Sequence, residues 1–119
     1  MAQHNELGKL GEEKAVEHLI SSGFTILEKN WRFGKAEIDI IAQKENLLIA
    51  VEVKTRSYID FGNPQDFVNQ KKIKLLVAAF DQYISSKDLD VNARFDIIGI
   101  VHKGSEFKIE HLEDAFLYF

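Results

Sequence analysis

Two carboxylates and a lysine stand on short apolar runs near the middle of this chain. Ala36-Glu37-Ile38-Asp39-Ile40-Ile41-Ala42 and Ala50-Val51-Glu52-Val53-Lys54 both read as strands. Alternation places Glu37, Asp39 and Ile41 on one face of the first, and Ile38 and Ile40 on the other. In the second it places Ala50, Glu52 and Lys54 on one face, with Ile49, Val51 and Val53 opposite. Between the two lies Gln43-Lys44-Glu45-Asn46, a polar stretch suited to a hairpin turn. A turn centred on Glu45-Asn46 brings Asp39 opposite Glu52, with Cβ atoms about 5 Å apart. Two like charges at that distance repel, and a divalent cation is the simplest compensation. The pattern predicts Asp39 and Glu52 as ligands of Mg²⁺ (or Mn²⁺), leaving water and phosphate oxygens to complete the octahedron. Lys54, two residues on and on the same face, is placed to orient an attacking water or to stabilise charge developing on a phosphate. The plainer alternative is an acidic pair and a strand-end lysine that simply face solvent.

The surrounding elements must hold these residues in register. A helix is expected from about Asn5 to Ser22, capped by Asn5, with Leu7, Leu10, Ala15, Leu19 and Ile20 facing the core and Gly23 in the left-handed position after its end. Phe24 to Phe33 reads as a strand, and Gly34-Lys35 turns the chain into the Asp39 strand. After a loop from Ser57 to Gly62, Asn63-Pro64 reads as the start of a helix running to about Ser86. Phe67, Val68, Leu75, Leu76, Ala79, Phe80 and Tyr83 are its expected core residues. Phe95 to Val101 is a strongly apolar strand, and Phe107 to Glu110 a short edge strand. The long second helix can serve as a crossover that lays the Phe95 strand parallel to a neighbour. The expected fold is α/β: a mixed β-sheet flanked by helices.

Bulk properties narrow the classes. With 119 residues the chain forms one domain spanning 1–119, large enough for a real core. The absence of cysteine excludes disulfides and thiolate metal sites. The polar N-terminus, followed by no long apolar run, argues against a signal peptide or membrane span and for the cytoplasm. There is no Gly-rich phosphate loop and no G-x-S-x-G element, so NTPase and serine-hydrolase chemistries lack support. The histidines, His4, His18, His102 and His111, show no ligand spacing and read as surface residues. The net charge of −4 opposes nucleic-acid binding if taken alone. Local field matters more, because a carboxylate cluster lowers net charge without repelling DNA once it holds a metal.

Glu12 sits on the first helix with Gly8 one turn before and Ala15 and Val16 one turn after. This puts a carboxylate at the edge of the apolar stripe, beside glycines that allow close backbone approach. A charge there calls for a partner, and a metal reached directly or through water is one. Glu37 could serve as a further ligand, but pairing with Arg32 or Arg56 is the preferred expectation, and Arg94 is expected to pair with Asp96. Arg56 and Lys72 are the candidate phosphate contacts, whereas Lys71 and Lys74 read as solubilising charges. Trp31 is read as core in preference to a base-stacking residue.

Together these residues resemble the PD-(D/E)XK nuclease superfamily: Asp39 matches its lone acidic residue, and Glu52-Val53-Lys54 its (D/E)-x-K element. The context is more specific. Gly8-x-x-Gly11-Glu12, then Asn30-Trp31-Arg32, Glu37-Ile38-Asp39, Lys54-Thr55-Arg56, Val68 with Lys72, and Arg94-Phe95-Asp96 look, in that order, like the YraN-like family of small bacterial proteins described as Holliday-junction-resolvase-like endonucleases. One departure is Ala36, where that family usually has Gly. The resemblance implies a restriction-endonuclease or resolvase-like core and strengthens a metal role for Glu12. It implies a Mg²⁺-dependent endonuclease that hydrolyses DNA phosphodiester bonds, with branched DNA among the expected substrates. Resolving a four-way junction takes two cuts, so a homodimer is a further expectation, as is a protein partner. The rival reading is a non-cutting nucleic-acid-binding or protein-interaction module on a nuclease fold.

Overall fold

The computed structural model describes residues 5–57 and 70–115. Along the chain come α1 (Asn5–Ser21), β1 (Thr25–Phe33), β2 (Ala36–Lys44), β3 (Leu47–Ser57), α2 (Gln70–Ser86), β4 (Asn92–Lys103) and β5 (Glu106–Leu112). The five strands form one sheet in the order β1-β2-β3-β4-β5. β1, β2 and β3 form an antiparallel meander, β4 runs parallel to β3, and β5 returns antiparallel on β4. This is the mixed α/β sheet flanked by helices that the sequence predicts, and it is compatible with a nuclease-like core.

The helices lie on opposite faces, and each seals its own core. Ala15 and Leu19 of α1 pack with Ile40, Ile49, Val51 and Ile98, while Leu76, Ala79, Phe80 and Tyr83 of α2 pack with Ile38, Ile41, Ala50 and Ile97. This explains why the central strands read as near-continuous apolar runs: strands covered on both faces carry no polar side. Edge strand β1 shows the alternation of a half-exposed strand.

Three local expectations hold. α1 ends in a Schellman arrangement: Gly23 takes φ +99°, and the Phe24 amide donates to the Leu19 carbonyl at 2.9 Å. The β2–β3 turn centres on Glu45-Asn46, since Lys44 pairs with Leu47. Gly34, at φ +61°, carries the β1–β2 turn.

The core stripes are narrower than periodicity suggests. Leu7 and Leu10 are each 38% exposed and Ile20 57%, because α1 meets the sheet along the single line Gly11, Ala15, Leu19. Leu75 is likewise 40% exposed, on the flank of the Leu76–Ala79–Phe80–Tyr83 line. The helix start at Asn63-Pro64, the loop to Gly62, the core positions Phe67 and Val68, and the Asn5 cap lie outside the described residues or side chains.

Candidate functional site

The expected alternation of β2 fails at Asp39, and this failure builds the site. Ile38 enters the core under α2 whereas Ile40 enters the core under α1, so the two do not share a face. Across on β1, Asn30 adopts the left-handed φ of +52°, at the position the register sets against Asp39. The β2–β3 ladder runs from Lys44↔Leu47 to Ile40↔Val51 and stops there. One residue further, the Val53 amide donates instead to Asp39 Oδ2 at 2.8 Å. The carboxylate thus enters the opening between two strands as they part. No other described group donates to its second oxygen.

β3 keeps its alternation. Glu52 and Lys54 share a face, as predicted, and it is the face α2 covers, with the Glu52 side chain only 7% exposed. Lys72, near the start of α2, makes direct ion-pair contact with Glu52 Oε2, and Lys54 Nζ stands 3.9 Å from the same oxygen. Lys72, expected as a phosphate contact, is therefore seated on the proposed ligand itself. Parallel pairing with β4 holds β3 firmly through Lys54↔Gly99 and Arg56↔Val101.

Glu12 approaches from α1, and Gly11 makes the approach possible. A Cβ at position 11 would meet Thr55 Oγ1 at 1.8 Å, so only glycine lets the helix backbone rest on β3 here. Glu12 Oε1 accepts a long 3.5 Å hydrogen bond from Asn30 Nδ2. It lines a cleft of about 380 Å³ between α1 and β1, with Lys9, Glu13, Glu17, Lys29 and Asn30. Asn30 was not singled out by its own chemistry in the sequence; its signal was the family motif alone.

The electrostatics of these groups are linked. Burial, then the charge of Glu52, pushes the Asp39 carboxyl up to about 8, against the opposing Val53 hydrogen bond and the charge of Lys72. Burial likewise raises Glu12; Asn30 opposes this, while Glu37 and Glu52 reinforce it. Glu37 pairs with Arg32 at 3.8 Å, one of its two expected partners.

A divalent cation fits this donor set. Asp39 and Glu52 offer hard oxygen donors, the charge of Glu52 helps to raise the cost of ionising Asp39, and among the described residues one Asp39 oxygen has no hydrogen-bond donor. Among the described residues no three carboxylates or imidazoles converge on one point. The fit is that of an ion held by two carboxylates and completed by other oxygens, with Glu12 at its margin and Lys72 occupying Glu52 meanwhile.

A second polar cluster was misread in the sequence. His18 and His111 are not surface residues. His18 Nε2 lies 3.0 Å from His111 Nδ1, and His111 Nε2 donates to Asp96 Oδ2 at 2.8 Å. Arg94 grips the same carboxylate through two 2.8 Å bonds, confirming the expected ion pair, and the Asp114 amide adds another at 3.1 Å. Burial works against the Asp96 charge, but these donors outweigh it and hold its carboxyl below the usual range. His18 belongs to α1 and His111 to β5, 93 residues apart, so no local spacing could announce the pair. His4 lies outside the described residues.

Fold and site together define a small α/β domain whose helices bring charged groups to a split in the sheet. The chain belongs to the family described as Uncharacterised protein family UPF0102, whose profile matches residues 11–100. It is 63% identical to a UPF0102 protein of Flavobacterium psychrophilum over 119 residues, covering all of both chains. A UPF0102 protein of Flavobacterium johnsoniae is 57% identical, again over the whole of both chains. One from Phocaeicola vulgatus is 49% identical over 98% of this chain and 96% of its own. Among the described residues no helix is long and apolar enough to cross a membrane.

Proposed function

We propose that this protein is a Mg²⁺-dependent endonuclease of PD-(D/E)XK type that hydrolyses phosphodiester bonds in DNA. The observation that carries the reading is the Asp39–Glu52 pair: two carboxylates placed together where β2 and β3 part, with Asp39 raised to about 8 even against the nearby charge of Lys72. Asp39 and Glu52 would hold the ion, and Glu12 would contribute from α1. When bound, Mg²⁺ supplies Lewis-acid polarisation of the phosphate and cancels the local negative charge. The remaining work falls to the chain. The Val53 amide fixes the orientation of Asp39. Lys54, with 36% of its side chain exposed, presents an ammonium beside Glu52 where charge on a phosphate develops. Lys72 neutralises Glu52 in the free protein and becomes available for a phosphate when another cation takes that carboxylate. Arg56, two residues beyond Lys54 on the same face, extends the positive strip.

The likeness to the YraN-like, resolvase-like endonucleases supports the same reading through the order Glu12, Asp39, Glu52, Lys54. The test is cleavage of linear, flapped and branched DNA with Mg²⁺ or Mn²⁺, by wild type, Asp39→Asn and Glu52→Gln. Wild type should cut, and both variants should be inactive with unchanged circular dichroism. Equal cleavage by all three proteins would remove the metal site from the mechanism.

A further inference from the structure

The β1–β2 hairpin carries an aromatic column that no part of the proposed chemistry uses. Tyr83 of α2, fully packed, meets Trp31 edge-on at 5.2 Å between ring centroids. Trp31 in turn stacks against Phe33, with centroids 6.4 Å apart and planes inclined by only 6°. Phe33 ends the column at the surface, 44% exposed. A large apolar ring at the tip of an edge hairpin is unfavourable in water, and edge strands are usually protected there by charge. This ring is instead braced from beneath by a second ring that is itself anchored in the core, so its orientation is set in advance.

Its neighbours are cationic. From Lys29 to Ala36 the chain has Lys29, Arg32 and Lys35 and no acidic residue, although the whole protein carries a net charge of −4. Arg32 keeps 71% of its side chain in solvent even while it pairs with Glu37. The position is equally specific. Trp31 packs in the same core as Ile38 and Ala50, hence on the α2 side of the sheet, the side that presents Glu52 and Lys54. Phe33 pairs with Ala36, three residues from Asp39 toward the turn. Strand spacing then sets Phe33 roughly 10 Å along the sheet from Asp39, on the strand next to it.

We propose that the exposed face of Phe33 is a stacking site for one unpaired nucleobase of the strand whose phosphate lies at Asp39 and Glu52. The inference rests on the nuclease reading and adds to it a requirement that the substrate offer an unstacked base beside the cut. A flat ring accepts any base, so the site selects for strand separation and not for sequence, and Arg32 and Lys35 hold the flanking backbone. A base inside a continuous duplex has both faces occupied and cannot enter.

The full chain in Ca²⁺ is titrated with a blunt DNA duplex and with the same duplex extended by a short single-stranded end carrying 2-aminopurine. The extended duplex should bind more tightly, and 2-aminopurine fluorescence should fall as the base stacks. Phe33→Ala should reduce the ratio of extended to blunt affinity by roughly 5- to 100-fold and abolish the quenching. Phe33→Trp should restore both, whereas Phe33→Leu, apolar but not flat, should not restore the quenching. A melting temperature within a few degrees of wild type confirms that each variant is folded. If wild type binds or cuts DNA but Phe33→Ala leaves the ratio and the quenching as they were, the stacking site is wrong and the nuclease reading stands. If Phe33→Ala changes only the oligomeric state, the ring is a contact between copies of this chain. If wild type binds neither DNA, both readings fall together.

Discussion

The Asp39 carboxylate accepts the Val53 amide at 2.8 Å, where the β2–β3 ladder would otherwise continue. A side chain here does the work of a backbone carbonyl. The bond keeps a partly buried carboxylate in place against the repulsion of Glu52, and ties the orientation of one proposed ligand to the strand that carries the other.

That arrangement should make the metal-free protein sensitive to pH in a definite direction. Asp39 titrates at about 8 when folded, against 3.8 as its ordinary value. The unfolded chain therefore gives up this proton first, and stability falls as pH rises from about 4 to about 8. Asp39→Asn cannot ionise and escapes the loss. Its advantage over wild type should grow between pH 5 and pH 8 to on the order of 1–3 kcal/mol, several degrees in melting temperature. Saturating Mg²⁺ should close the gap by stabilising wild type alone. A gap independent of pH would show that Asp39 stays ionised in the folded protein.

Lys54→Met keeps the apolar stem and removes the ammonium. If Lys54 acts on charge that develops during the reaction, the single-turnover cleavage rate should fall by ~10²-fold with little change in DNA affinity. A loss confined to affinity would make Lys54 a phosphate anchor.

Gly11→Ala should show how Glu12 is positioned. The added methyl carbon would overlap Thr55 Oγ1, so α1 must lift from β3 at a cost of about 1–3 kcal/mol. Cleavage should drop more than stability alone accounts for, because Glu12 moves with the helix. Thr55→Ala introduced alongside should recover part of both. A variant with wild-type stability would mean that the helix does not rest here.

Asp96→Ala should be the most destabilising single change among the charged residues. The Asp96 side chain is wholly buried and answers Arg94, His111 and the Asp114 amide, so its removal takes the acceptor from three donors at once, at a cost of about 3 kcal/mol, with the partly exposed Arg94 left to Glu113. Its carboxyl is held below 3.8, so its stabilisation is fully present above that pH and is lost as pH falls through the lower folded value. Denaturant melts at pH 7 and pH 3 would check this: the wild-type advantage should shrink at the lower pH.

Local rules were enough for the order of the elements, the turns at Gly34 and Glu45-Asn46, the left-handed Gly23 and the nearness of Asp39, Glu52 and Lys54 to one another. Each depends on neighbours a few residues away, or on a hairpin register that a two-residue turn dictates. Three things were decided only by packing. Strict alternation would have kept Ile38 and Ile40 on one face; Asn30, in a left-handed conformation on the neighbouring strand, accompanies the break that turns Asp39 into the split. Lys72 was placed on Glu52 by the path of α2 across the sheet, which no spacing within α2 records. His18 and His111 were joined because α1 crosses the face on which β5 ends. A sequence shows which side chains can carry charge, but burial and the partners that sustain a charge come from elements far apart in the chain.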